Sequence, residues 1–334
     1  MTSMEKLRWA IVGLGDIVRK RVGPAILEQP QSVLQACVTR DPDRRTDELR
    51  ALVPGKVYTD FEQMLTDTEV DAVYIATPVF LHAPQAIAAL RAGKHVLVEK
   101  PMALDASEAE AMNVAAKQAG RRLSVAYYRR FWPTFQRVHS MLEQGDFGQI
   151  VLARVALHSW YAPSPNDSNA WRVRPEYSGG GVLSDVGSHR LDLLAWWFGL
   201  PQKTVSDVRT RTQDYSVEDS ATGILVFADG FPCTLSFQWN SKTWTDELHI
   251  VGSETKVSLT PTDSDEMKIT CGRETTTSRL NRHPNAHYGL IDDFATSILE
   301  GRAPRFSGDD GIAATQMMDW IKQAATCRTW IEGG

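Results

Sequence analysis

The stretch RWAIVGLGDIVRK, residues 8–20, constrains the fold more than any other part of this chain. An apolar run, Arg8 to Val12, stops at Gly13-Leu14-Gly15, and a helical pattern then continues to about Leu27. A strand that turns on a glycine pair straight into a helix is the opening unit of a parallel sheet wound with crossover helices. The next hundred or so residues (roughly) repeat the alternation. Strands are expected at Val33–Val38, Asp71–Ala76, His95–Val98 and Leu123–Ala126, and helices at Asp60–Leu65, Pro84–Ala92 and Ser107–Ala119. Asp60 has Gln63 three residues on, a capping-box spacing. Gly93 and Gly120 stand where helices close on glycine. The expectation is an α/β fold: a doubly wound parallel sheet over residues 1–126.

From Ile150 the pattern changes to strands. Val151–Trp160, Val205–Thr212, Ala221–Phe227, Cys233–Trp239, Glu247–Val251 and Lys256–Leu259 are joined by short turns such as ADGFP and GSET. Hairpins of this kind predict a large, mostly antiparallel, open-faced sheet. Helices at His287–Leu299 and from Asp309 to about Trp330 complete an α+β second domain, expected over residues 127–334. A chain of 334 residues is more than one compact core usually needs. Trp160, Phe237, Trp239 and Trp244 are expected to form a flat aromatic outer surface, covered by further copies of the chain in a homodimer or homotetramer.

Composition excludes several classes. The net charge is −5, and no basic block exceeds a few residues, so nucleic acid is not an expected partner. The four cysteines, Cys37, Cys233, Cys271 and Cys327, form no CxxC pair, which argues against a disulfide framework and a zinc site. No metal is expected. No stretch approaches the length of a membrane span, and the start has no signal-peptide layout. A reduced, cytoplasmic setting is the expectation.

Three stretches carry chemistry. In the first, the glycine turn lets a pyrophosphate approach the N–H groups at the start of the helix. The third glycine position of the usual dinucleotide fingerprint holds Val18. Sites that prefer NAD place an acidic residue at the end of the second strand. Here that place holds Thr39 and Arg40, followed by Asp41 and by Arg44 and Arg45. A hydroxyl and guanidinium groups suit a 2′-phosphate, so NADP(H) is favoured over NAD(H). In the second stretch, HVLVEKPMAL, Glu99, Lys100 and Pro101 stand at the carboxyl end of a parallel strand, the side on which such sheets bind ligands. A lysine there can hold a hydroxyl or alkoxide, and proline permits a cis bond. In the third, three glycines, Gly179 to Gly181, precede an apolar helix that carries Asp185, His189 and Asp192. At spacings of four and three these share one helical face. Histidine is the side chain whose ordinary pKa lies near neutrality, so His189 can exchange a hydroxyl proton, while Asp185 can orient or stabilise it.

Taken together, GLGDIV, YIATPVFLHAPQAIAALRAGKHVLVEKPMA, YRRFWP and GGGVLSDVGSHRLD occur in an order that resembles the glucose–fructose oxidoreductase / inositol dehydrogenase / MocA family, over nearly the whole chain. The resemblance implies a two-domain oxidoreductase. It carries nicotinamide in the first domain and acts on a sugar or polyol at the interface. Lys100, Asp185 and His189 then map to the catalytic group. Cofactor contacts map to Gly13, Leu14, Gly15, Asp16 and Ile17, to Ala76, Thr77, Pro78, Leu81 and His82, and to Glu99 beside Lys100. Arg130, Trp171, Arg172 and Tyr288 resemble second-domain contacts of NADP-dependent sugar reductases. The chain departs from the family at Val79 and at Tyr128-Arg129, where many members carry asparagine. Two other functions stay open at this point. One is a redox-neutral, cofactor-retaining enzyme that cleaves glycosides. The other is a non-catalytic cofactor-binding sensor, against which the intact Lys100, Asp185 and His189 set argues.

Overall fold

The computed structural model describes residues 5–42, 47–53, 55–167 and 169–333. They form two compact units that are not contiguous in sequence. The first runs to Tyr128 and takes back His283–Ile312; the second comprises Arg129–Arg282 and the chain from Ala313. A single second domain over 127–334 therefore does not describe the packing: the segment around Tyr288 belongs with the first unit.

In the first unit six parallel strands take the order β3-β2-β1-β4-β5-β6. They are β1 (Leu7–Val12), β2 (Ser32–Val38), β3 (Lys56–Tyr58), β4 (Ala72–Ile75), β5 (His95–Val98) and β6 (Leu123–Val125). Reversal of strand order beside β1 opens a crevice at the carboxyl ends of β1 and β4, where doubly wound sheets bind dinucleotides. Helices α1 (Gly23–Glu28), α2 (Asp47–Leu52), α3 (Phe61–Leu65), α4 (His82–Arg91) and α5 (Ala106–Ala119) connect the strands. β4 and the last three residues of β5 are fully buried, as both faces of a parallel sheet require. Asp60 caps α3, its Oδ1 accepting from the backbone N–H of Glu62 at 2.8 Å and Gln63 at 3.4 Å. The helix Tyr288–Leu299 adds cover from far along the chain, its Phe294 ring 5.4 Å from that of Trp9 in β1.

The second unit is built on a nine-stranded sheet of order β14-β13-β12-β11-β7-β10-β9-β8-β15. Its strands are β7 (Ile150–Trp160), β8 (Lys203–Arg209), β9 (Ser220–Val226), β10 (Pro232–Gln238), β11 (Asn240–Gly252), β12 (Thr255–Leu259), β13 (Glu266–Cys271), β14 (Glu274–Arg279) and β15 (Ile331–Glu332). β7 and β10 pair in parallel; the other neighbours are antiparallel. One face buries Ala153, Val155, Leu235, Phe237, Leu248 and Ile250. Helices α6 (Pro133–Glu143), α7 (Pro175–Ser178) and α8 (Ser188–Phe198) belong to this unit. Phe198 meets Phe227 and Phe231 at ring separations of 5.4 and 5.0 Å. After the helix Tyr288–Leu299 (α9), the long helix Gly308–Cys327 (α10) leads to the short edge strand β15. The expected aromatic outer face is corrected here. Phe237 and Trp239 are 0% and 3% exposed and belong to the core, while Trp160 and Trp244 are 44% and 63% exposed.

Candidate active site

Gly13 ends β1 with φ +89°, and a Cβ there would lie 2.7 Å from the carbonyl oxygen of Ala76, so only glycine lets the two strand ends close together. The Gly13 N–H donates to Val38 O at 3.2 Å and the Ala76 N–H to Val12 O at 2.8 Å, which ties the ends of β1, β2 and β4 together. Gly15 differs: a Cβ there would meet nothing within 4 Å. The helix starts at Asp16, and the first N–H groups of a helix have no partner within it. Open space above such a start fits a pyrophosphate. Leu14 lies between the two glycines and Ile17 in the first turn. Asp16 is held by Arg19 at 3.4 Å and Lys20 at 2.8 Å, and these hydrogen bonds lower its pKa. Val18–Val22 form a π-helical turn before α1, so Val18, 0% exposed, packs where a third glycine was absent.

Thr39 follows β2 directly. Its N–H donates to Tyr58 O at 3.0 Å, and its hydroxyl lies 3.4 Å from the Asp41 N–H. Arg40 is exposed beside it. A hydroxyl and a guanidinium thus stand at the end of the second strand, where the ribose end of a dinucleotide is distinguished. Arg44 lies outside the described residues.

The ends of β4 and β5 bring Ala76, Thr77, Pro78, Leu81 and His82 to the same edge of the sheet as Glu99 and Lys100. Thr77 donates its hydroxyl to Gln85 at 2.8 Å. Glu99, 9% exposed, accepts from the Tyr74 hydroxyl at 2.7 Å and from the Lys100 N–H at 3.1 Å. Burial, with the Glu99 charge next, pushes the Tyr74 phenol well above its ordinary pKa, so it stays a donor. The Lys100–Pro101 bond is cis, the geometry its proline allows. Sequence reasoning missed Tyr74, because a tyrosine inside an apolar strand gives no signal of a buried carboxylate opposite it. Tyr288 stacks on His283 at 4.2 Å within the first unit. His287 packs on Tyr128 at 4.2 Å.

In the second unit α8 is preceded by a π-helical turn, Leu183–Gly187, that contains Asp185. Such turns are uncommon and gather at functional sites. A π turn holds one residue more than an α turn, so it rotates everything after it relative to α-helical spacing. Asp185 is thereby turned relative to α8, whereas Asp192 lies in α8 itself, three residues past His189. Asp192 is 1% exposed and accepts from Nε and Nη2 of Arg130, itself 2% exposed, at 2.8–3.0 Å. Arg190 is likewise a core residue, paired with Asp246 at 3.0 Å. Asp185 accepts from Arg172 at 3.3 Å, and the Arg172 guanidinium lies 5.7 Å from the Trp171 ring. His189 is 7% exposed in the first turn of α8. The glycine run before it serves a backbone approach: a Cβ at Gly181 would collide with Glu218 O, the carbonyl that accepts from the Val182 N–H at 3.0 Å.

A 3-2-1-4-5-6 parallel sheet with a glycine turn after its first strand defines a dinucleotide-binding Rossmann unit, here carried by an oxidoreductase. Residues 7–127 match the model described as "Oxidoreductase family, NAD-binding Rossmann fold", and residues 135–258 match the "GFO/IDH/MocA C-terminal domain". The chain belongs to the Gfo/Idh/MocA family. It is similar to the 1,5-anhydro-D-fructose reductase of Ensifer adhaerens, with 29% identity over 96% of both chains. It is also similar to a D-xylose 1-dehydrogenase (NADP(+)) of Haloferax volcanii, with 24% identity over 98% of this chain and 99% of that one. Among solved structures, the aldose-aldose oxidoreductase from Caulobacter crescentus complexed with glycerol superposes with a TM-score of 0.89, at 27% identity over 98% of this chain and 100% of that one.

Proposed function

We propose that this chain is an NADP(H)-preferring oxidoreductase that moves a hydride between nicotinamide and a sugar, a polyol or a related hydroxy or keto compound. The observation that carries the reading is Lys100, at the carboxyl end of β5 in the sheet whose first strand ends in the glycine turn. The named activities of the relatives, a reductase and a dehydrogenase of sugars, support the substrate class. The bound nicotinamide would accept or deliver the hydride. His189 takes the hydroxyl proton in oxidation and returns it in reduction, the work of a general base and acid. Lys100 stabilises the negative charge that grows on the same oxygen. Asp185 orients the pair. Gly13 to Ile17 would hold the pyrophosphate, and Ala76 to Pro78 with Leu81 and Glu99 would line the nicotinamide side; Arg130, buried against Asp192, is not free to reach a cofactor. Thr39 and Arg40 supply the preference for a 2′-phosphate.

The test is a panel of free sugars, polyols and aryl glycosides, followed at once for NADPH absorbance and for released aglycone. The expected result is an absorbance change in proportion to a free sugar or polyol consumed. Aglycone release with no net absorbance change overturns the reading in favour of a redox-neutral cleaving enzyme.

A further inference from the structure

His82 stands where two loops of the first unit meet. One follows β4 and carries Thr77; the other follows β5 and carries Lys100 and Pro101. The imidazole is 1% exposed. Its Nδ1 lies 2.9 Å from the carbonyl oxygen of Pro101 and its Nε2 lies 2.9 Å from that of Thr77. A neutral imidazole has one N–H to donate, an imidazolium two, and a carbonyl can only accept. Burial, joined by the charge of Lys100, pulls the ring toward the neutral form, against the backbone groups of Thr77, Pro101 and Met102. The neutral ring makes the tie to Pro101 in the tautomer with the proton on Nδ1, and in either form both nitrogens face backbone oxygens of these two loops. An imidazole has no third polar atom, so His82 has none left to offer a cofactor.

We propose that His82 is a positioning residue, which ties the loop after β4 to the carbonyl of Pro101 and thereby fixes where Lys100 presents its amine. The Lys100 backbone is then held from two sides. Its N–H donates to Glu99, which Tyr74 holds in turn, and the carbonyl one residue on is tied to the His82 ring. Such anchoring matters for a lysine, whose four-carbon stem is flexible and defines no position alone. A displacement of about 1 Å in a reacting group can cost on the order of a hundredfold in rate. The role rests on the reading of Lys100 given under Proposed function.

Two variants test it. His82→Phe keeps the volume and removes both nitrogens; His82→Gln keeps one donor. Three quantities are measured for each: the Kd for NADPH by fluorescence, amide hydrogen exchange over residues 99–103 in the cofactor-free protein, and kcat in both the Lys100 and Lys100→Met backgrounds. The kcat probe is the first sugar of the panel, or 1,5-anhydro-D-fructose, that turns over. His82→Phe is expected to leave the Kd within about twofold, to speed exchange over 99–103, and to lower kcat roughly tenfold to a hundredfold. His82→Gln recovers part of the loss. In the Lys100→Met background His82→Phe lowers kcat no further. A Kd weakened tenfold with kcat unchanged overturns the proposal and makes His82 a cofactor contact. Equal losses of kcat in both backgrounds overturn it in favour of general stability. If Lys100→Met itself keeps its turnover, the functional reading of Lys100 fails. The tie is then judged by exchange alone, and unchanged exchange over 99–103 refutes it.

Discussion

At the scale of single residues, the end of β2 makes the sharpest demand. A guanidinium is charged at every relevant pH and can meet a phosphate with two donors, whereas an unphosphorylated ribose offers it only hydroxyls. Arg40 stands exposed at that strand end beside the Thr39 hydroxyl. Arg40→Ala is expected to weaken NADP binding by roughly tenfold to a hundredfold, the effect of one charged hydrogen bond of about 1.5–3 kcal/mol, and to leave NAD binding nearly unchanged. Calorimetric titration with both dinucleotides decides this; a wild-type protein that binds NAD more tightly refutes the assignment. Residue types marked the glycine turn, Thr39-Arg40 and Lys100 in the bare sequence because each stands at the end of an apolar run, where the pattern itself locates it. Asp192 has no such local mark. Its partner, Arg130, is 62 residues away, and no local pattern distinguishes a buried ion pair from a functional carboxylate.

At the scale of elements, the long and strongly apolar strands and the capped helices were legible. The misses have separate causes. β14, ETTTSR, is exposed at nearly every position, so it lacks the alternation that marks a half-buried strand. The π turn Leu183–Gly187 has no sequence signature, since it arises from packing around the helix and not from propensity. The junction of β5 and β6 shows how an element end can set pH behaviour. The Arg122 N–H donates to Nδ1 of His95 at 3.0 Å, a bond that requires that nitrogen to be unprotonated. Burial first, then the charges of Arg121 and Arg122, lower the His95 pKa to about 4. The unfolded chain takes up this proton near its ordinary value of 6.5, before the folded one does. The contribution of His95 to stability is therefore complete above that value, declines as the pH falls, and is lost below about 4. From pH 7 to pH 5 the expected loss is about 2 kcal/mol. Urea unfolding of wild type and His95→Asn at both pH values measures it. Asparagine keeps an acceptor for the Arg122 N–H and does not titrate, so its loss over the interval should be smaller by that amount. Equal losses in the two proteins refute the assignment.

At the scale of the whole molecule, two units were legible because the period of the apolar pattern changes near Ile150. That His283–Ile312 returns to the first unit was not, since a helix sequence does not name the sheet it covers. What covers the second face of the nine-stranded sheet is a question of assembly. Its inner face packs the core; its outer face presents Arg154, Thr222, Ile224, Thr234 and Ser236 from three adjacent strands, with Thr234 opposite Ile224 and Ser236 opposite Thr222. These side chains are short and mixed in polarity, apart from Arg154, which pairs with Glu247 at 2.8 Å. A sheet face of this kind can meet an identical copy of itself about a two-fold axis, and a stable interface needs on the order of 800 Å² from each partner. The expected outcome is that light scattering at micromolar concentration shows a dimer or tetramer and no monomer. Ile224→Lys combined with Thr234→Lys places two ammonium groups on facing positions of the outer face, and four where copies meet, while leaving the inner face untouched. The double variant should run as a monomer with its unfolding cooperativity intact. A wild-type monomer, or a double variant that assembles as before, means that this face is not the interface, and the 63% exposed Trp244 would then mark the next surface to mutate.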